Sequence, residues 1–177
     1  MARQTWNFDP AHSEIGFKVR HMMFSKVSGV FHDWQGTFEF DPENPSYTKV
    51  SVDIDTSTID TRNDDRDGHL KSGDFFDVET HPTIHFESTA VEKVDAGTLK
   101  MSGQLTIRDT TREVELDVEY HGKAVDPWGN DRVGFTATTT INRKDFGLTW
   151  NQALEAGGVL VGDKVEVELQ VQATPAE

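Results

Sequence analysis

The chain has 177 residues, 35% of them hydrophobic, and its 31 acidic and 17 basic residues give a formal net charge of −14. This charge repels phosphate backbones and anionic membrane surfaces, so we expect no nucleic-acid partner. The absence of cysteine excludes disulfides, thiolate metal sites and cysteine nucleophiles.

The length fits one domain over residues 1–177. No window approaches the roughly 18 apolar residues that a membrane helix needs, so we expect no stable membrane insertion. The N-terminus also has no apolar run of signal-peptide length. As numbered, the chain is therefore expected to be cytoplasmic.

Apolar and polar residues alternate along most of the chain, which is the pattern of half-buried β-strands. Eight segments show this alternation, at 15–19, 38–40, 50–54, 84–86, 99–107, 114–120, 133–141 and 165–171. Trp6 and Phe8 suggest a ninth strand. Three further stretches look helical, at about 21–28, 62–77 and 150–157, the last ending at Gly157-Gly158.

Short, turn-rich segments separate the strands and indicate antiparallel hairpins. Without a long amphipathic helix to cover them, one-sided strands must bury their apolar faces against one another, in a barrel or a two-sheet sandwich. A barrel is favoured because it removes exposed edges. The sequence therefore predicts an all-β, eight-stranded antiparallel up-and-down barrel with short helices in its loops. At about this strand number the lumen is either filled by side chains or holds one ligand.

Two segments raise the question of metal binding. His81 and His85 are four residues apart in a strand-like context, which separates them by about 13 Å, too far to share one ion unaided. Asn63–Asp74 resembles a calcium loop, with side-chain oxygens at positions 1, 3 and 5, Gly at 6 and a carboxylate at 12. The alternative is a polar loop entering a short helix capped by Asn63 or an Asp.

Hydrolytic machinery is missing from the sequence. There is no Gly-x-Ser-x-Gly elbow, and the adjacent His12 and Ser13 would point to opposite faces of a strand. Alternation assigns nearly all of the carboxylates to the solvated face, which leaves no acid and base pair in a cleft. We therefore expect a protein that is not an enzyme and that requires no cofactor.

Several motifs together resemble the YceI-like, polyisoprenoid-binding family, whose members have a lipocalin-like barrel. One departure is Asp109, which stands where the family usually has Gly, and many relatives carry a secretion signal. The matching segments cover nearly the whole chain and are WNFDPAHS at 6–13, IGFKVRH at 15–21, IDT at 59–61, RDGHLKS at 66–72, DFFDV at 74–78, HPTIHFES at 81–88, GQLTIRD at 103–109 and INRKDFGL at 141–148.

The resemblance implies an elongated apolar lumen that holds a polyisoprenoid, an isoprenoid quinone or a similar long-chain lipid. The side chains predicted to line the site for its tail are Phe17, Val19, Phe38, Val52, Ile54, Phe86, Leu105, Ile107 and Phe135. Those predicted to close the mouth are Leu70, Phe75, Phe76 and Phe146.

If the lipid head is a pyrophosphate, Arg66, His69 and Arg143 are the expected donors, because Arg forks match phosphate oxygens. The alternative for each Arg is a structural salt bridge. A calcium- or metal-binding stress protein and a structural barrel with a filled core stay open as alternatives, and so does homodimerisation.

Overall fold

The computed structural model describes residues 4–41, 43–152, 154 and 160–176. One α-helix, α1, spans Asp64–Lys71 in these ranges. The strands are β1 Gln4–Phe8, β2 Glu14–His21, β3 Ser25–Phe31, β4 Trp34–Phe40, β5 Lys49–Asp55, β6 Ile59–Asp60, β7 Thr83–Asp95, β8 Thr98–Ile107, β9 Thr110–Val125, β10 Asp131–Asn142 and β11 Val161–Pro175.

The strands form one closed antiparallel ring. β1 closes it by pairing with β4 on one side and with the end of β11 on the other. The first six strands occupy only three positions, because β1 and β2, β3 and β4, and β5 and β6 each continue one another across a short break. With β7 to β11 this makes eight positions, which confirms the predicted eight-stranded up-and-down barrel and the separate strand around Trp6 and Phe8.

The three predicted helices have different outcomes in the structure. The one over 21–28 is wrong, because a hairpin turn over Met22–Phe24 separates β2 from β3. The prediction over 62–77 is confirmed for α1 alone, which starts where the Asn63 side chain accepts a hydrogen bond from the N–H of Arg66. In the predicted 150–157 helix, residues 150–152 and 154 are not helical, and 153 and 155–157 lie outside the described residues.

Two apolar clusters fill the ends of the barrel. The first is built around Trp6, Phe40 and Phe135, where the Trp6 Nε1 donates to the Phe40 carbonyl at 3.2 Å. The second, next to α1, includes Ile59 and Phe146. Some residues of each cluster also lie near the middle of the barrel. Side chains of both clusters therefore line the lumen between them.

Aromatic rings lie flat against the barrel wall where the neighbouring strand has glycine. A Cβ on Gly103 would come within 2.4 Å of the Phe86 ring, and one on Gly29 within 2.4 Å of the Phe17 ring. A side chain at either position would therefore push its ring away from the wall. Gly29 and Gly103 thereby leave room for these two rings beside the sheet.

A charged cluster stabilises the end of the barrel where β1 closes the ring. The Arg132 Nη1 donates to Asp9 Oδ2 at 2.6 Å, and its Nε donates to Asp126 Oδ2 at 2.9 Å. The His12 Nδ1 lies 2.7 Å from the same oxygen of Asp9. The hydrogen bond from Arg132 lowers the pKa of Asp9, and the pKa of Asp126 is lowered by the N–H of Asn130 and by Arg132.

These lowered pKa values predict how stability depends on pH. The two carboxylates stabilise the fold above the ordinary Asp pKa, and this contribution is lost as the pH falls through their lowered folded values. We expect Arg132→Gln to be less stable than the wild type near neutral pH, and the difference to shrink below roughly pH 4. Urea midpoints measured from pH 3 to 7 check this. Arg112→Gln is the control, since the Arg112 Nε donates to a backbone carbonyl, that of Asp145. A constant difference between Arg132→Gln and the wild type across the range would contradict the prediction.

Candidate functional site

The closed ring encloses a cavity of about 150 Å³ with an apolar surface. Every strand position contributes to it, because alternation turns one face of each strand inward. Its lining residues are Phe8, Ile15, Trp34, Phe38, Thr48, Val50, Val52, Ile54, Phe86, Leu99, Met101, Leu105, Val114, Leu116, Val118, Phe135, Ala137, Thr139, Val167, Leu169 and Val171.

The interior is not packed solid. Along β11 the inward-facing Val167, Leu169 and Val171 line the cavity and are only partly buried. The cavity is nevertheless smaller than the roughly 300–1,000 Å³ of typical small-molecule pockets. A long chain therefore fits only if lining side chains move outward.

Six of the nine residues predicted to line the tail site do line the cavity, and these are Phe38, Val52, Ile54, Phe86, Leu105 and Phe135. The structure does not bring the other three to it. Ile107 is buried in the cluster next to α1, and Phe17 packs against that cluster with its ring over Gly29. Val19 lies near the end of β2, opposite Val165 and Val27.

The four residues predicted to close the mouth all lie at the α1 end. Phe146 is buried in the cluster there, and Leu70 and Phe76 pack against it. Phe75 is buried, with its ring centroid 5.5 Å from that of Trp150. All four are thus placed to plug this end, and their contact with a ligand stays a prediction.

The three predicted head-group donors have partners within the protein. Arg66 donates from Nε and Nη2 to the hydroxyl and carbonyl of Thr61. The His69 Nε2 lies 2.9 Å from Asp74 Oδ2.

Arg143 is only 3% exposed and is enclosed by backbone carbonyls. It donates to the carbonyls of Leu148 at 2.6 Å, Gly162 at 2.8 Å, Trp150 at 2.9 Å and Val161 at 3.3 Å. Burial lowers the pKa of its guanidinium, which still stays charged. This geometry favours a structural role for Arg143, through carbonyl hydrogen bonds more than through a salt bridge, since Nη2 lies 3.9 Å from Asp163 Oδ1. Its role toward a head group stays a prediction.

The segment proposed as a calcium loop is the helix α1. Asn63 caps this helix, and Asp67 accepts from the N–H and hydroxyl of Thr61 at 2.8 and 2.5 Å. The side chains therefore do not converge in a loop. Of the two histidines, His85 instead lies 2.7 Å from Asp53. The described part of the chain holds no group of three or more potential ligands placed for a metal ion.

The sequence-based prediction missed 15 of the 21 lining residues, although the signal for many of them was present. Leu116, Val118, Val167, Leu169 and Val171 belong to the most regular alternations in the chain. Extending the inward face along β9 and β11 would have found them. Trp34 had a weaker signal, because Gly36 interrupts the apolar alternation between it and Phe38 on β4.

The described residues contain no helix long and apolar enough to cross a membrane. The model of the YceI-like domain family matches residues 6–173. The chain belongs to the YceI-like family. A UPF0312 protein of Staphylococcus aureus is 40% identical over 173 residues, which cover 97% of this chain and 98% of that protein. A UPF0312 protein of Ectopseudomonas mendocina is 41% identical over 138 residues, 78% of this chain and 72% of that protein.

Solved structures share the fold of this YceI-like chain. The YceI protein of Campylobacter jejuni superposes with a TM-score of 0.78 at 32% identity, covering 96% of both chains. BcnA of Burkholderia cenocepacia gives a TM-score of 0.81 at 21% identity, covering 95% of this chain and all of that one. A polyisoprenoid-binding domain of Saccharophagus degradans gives 0.68 at 14% identity, covering 97% and 98%. The last two show the fold alone.

Proposed function

We propose that this YceI-like protein is a non-enzymatic carrier that holds a long-chain apolar lipid, of polyisoprenoid or isoprenoid-quinone type, inside its barrel. The observation that carries the proposal is the apolar cavity at the centre of the closed ring. The structural neighbour from Saccharophagus degradans, described as polyisoprenoid-binding, supports the same class of ligand.

The physics of burial favours a chain-like ligand. Each buried CH₂ contributes about 0.8 kcal/mol, so several isoprene units provide tight binding without contacts to the head group. Part of that energy must displace side chains, because the cavity is only about 150 Å³. Phe86 and Leu105, which pair across β7 and β8 and are only partly buried, are placed to move.

Extraction of the purified protein with organic solvent, followed by mass spectrometry, tests the proposal. We expect close to one equivalent of a long-chain lipid, and we expect delipidated protein to take up an isoprenoid quinone added in detergent. Lysozyme treated in the same way controls for carry-over of lipid and detergent. No recovered lipid together with no uptake of the quinone would instead support a structural barrel.

A further inference from the structure

The hairpin between β2 and β3 ends in an exposed apolar tip, Met22-Met23-Phe24. These side chains are 40%, 52% and 86% exposed. The Phe24 N–H donates to the His21 carbonyl at 3.2 Å, which makes Met22 and Met23 the central residues of a tight turn. Because apolar side chains at such a position stay exposed to water, they contribute no hydrophobic stabilisation to the fold.

The backbone of this turn is in a conformation that its residues rarely adopt. Met22 and Met23 have φ of 52° and 66°, in the left-handed region where hairpin turns favour Gly, Asn or Asp. Strain of this kind is found preferentially at functional sites. The hairpin thus carries two unfavourable features at one place, a strained turn and an exposed apolar tip.

Positive charge surrounds the tip in an otherwise acidic protein. From Ile15 to His32 the chain has no Asp or Glu, whereas Lys18, Arg20 and Lys26 all lie there. On the neighbouring strand, Lys164 precedes Glu166 by two residues and therefore shares its face.

Glu166 on β11 lies directly opposite Lys18 on β2. Lys26 Nζ bonds it at 2.8 Å, and Lys26, Lys18 and Arg20 together lower its pKa. Lys26, Lys18 and Arg20 therefore surround Glu166, and the next carboxylate along this face of β11, Glu168, lies opposite Gly16, further from the tip.

We propose that this hairpin docks the protein on anionic lipid bilayers, with Met22, Met23 and Phe24 in the interface and Lys18, Arg20, Lys26 and Lys164 toward the lipid phosphates. An apolar tip flanked by cations is the composition that binds such interfaces. The net charge of −14 opposes contact through the rest of the surface. Because charges beyond about 8 Å are screened at physiological ionic strength, the local patch decides the contact. The proposal rests on the hairpin alone and not on the contents of the lumen.

The absence of cysteine from the chain makes site-specific labelling direct. Phe24→Cys carries an environment-sensitive fluorophore at the tip, and Val125→Cys carries it at the opposite end of the barrel, where the native side chain is 66% exposed. Both labelled proteins are mixed with vesicles of phosphatidylglycerol and phosphatidylcholine, or of phosphatidylcholine alone. We expect a blue shift from position 24 with the anionic vesicles only, weakened by added salt, and none from position 125.

Unlabelled protein gives a second measurement by vesicle flotation. Phe24→Ser is expected to lower the affinity for anionic vesicles by about tenfold or more, since a Phe side chain no longer leaves water. Lys18→Glu with Arg20→Glu should abolish binding. The proposal would be overturned if both probes responded equally or if neither responded. It would also be overturned if the fluorescence at position 24 shifted with protein concentration in the absence of vesicles, because that result would indicate self-association. Delipidated and lipid-loaded protein should float with the vesicles to the same extent. A failure of the carrier proposal would therefore leave the flotation result unchanged.

Discussion

Arg143→Met is expected to lower the free energy of unfolding by about 3 kcal/mol or more, because hydrogen bonds to a charged group contribute roughly 1.5–3 kcal/mol each. The substitution removes donors from four carbonyls, those of Leu148, Trp150, Val161 and Gly162. With a urea dependence near 2 kcal/mol per molar, the midpoint should fall by about 1.5 M.

The neighbouring residue provides a matched control. Lys144 is exposed and its Nζ lies 3.4 Å from Oδ1 of the half-exposed Asp163, beyond the length of a good hydrogen bond, so Lys144→Met should change stability by no more than about 1 kcal/mol. The lipid content of both variants separates the two roles considered for Arg143. Normal stability with lost lipid would show that Arg143 recognises a head group and would contradict the structural role.

The fold could be predicted from the sequence because the alternation of apolar and polar residues is a property of each short segment by itself. Each strand of β7 to β11 has its own polar and apolar pattern, and short turns fix the antiparallel neighbours from β7 to β10. The failure at 21–28 has a local cause as well. The apolar run Met22-Met23-Phe24 resembles part of a helical face, and no Gly or Asn marks it as a turn.

The site was less predictable because cavities depend on packing between strands distant in sequence. Phe17 and Phe86 have the same inward alternation, yet the structure gives only Phe86 a place in the cavity. The role of Arg143 depends on carbonyls at 148–150 and 161–162, which surround it only after β11 has joined the ring. Neither outcome follows from residue type or spacing.

Filling the lumen should abolish lipid binding while leaving the barrel folded. Ala137 on β10 lines the cavity and lies opposite Val118 and Leu169, so the larger side chain of Ala137→Leu would occupy the space that a tail needs. Overpacking of this kind costs roughly 1–3 kcal/mol, which a chain of this size tolerates.

The same substitution at an exposed site separates lumen filling from general effects. Ala90 on β7 is exposed, so Ala90→Leu adds the same atoms outside the barrel. We expect lipid recovered per mole of protein to fall at least about tenfold in Ala137→Leu and to stay at the wild-type level in Ala90→Leu, with urea unfolding confirming that both are folded. Wild-type lipid content in a folded Ala137→Leu protein would place the ligand outside this cavity, because the added atoms and a lipid tail cannot share the same 150 Å³.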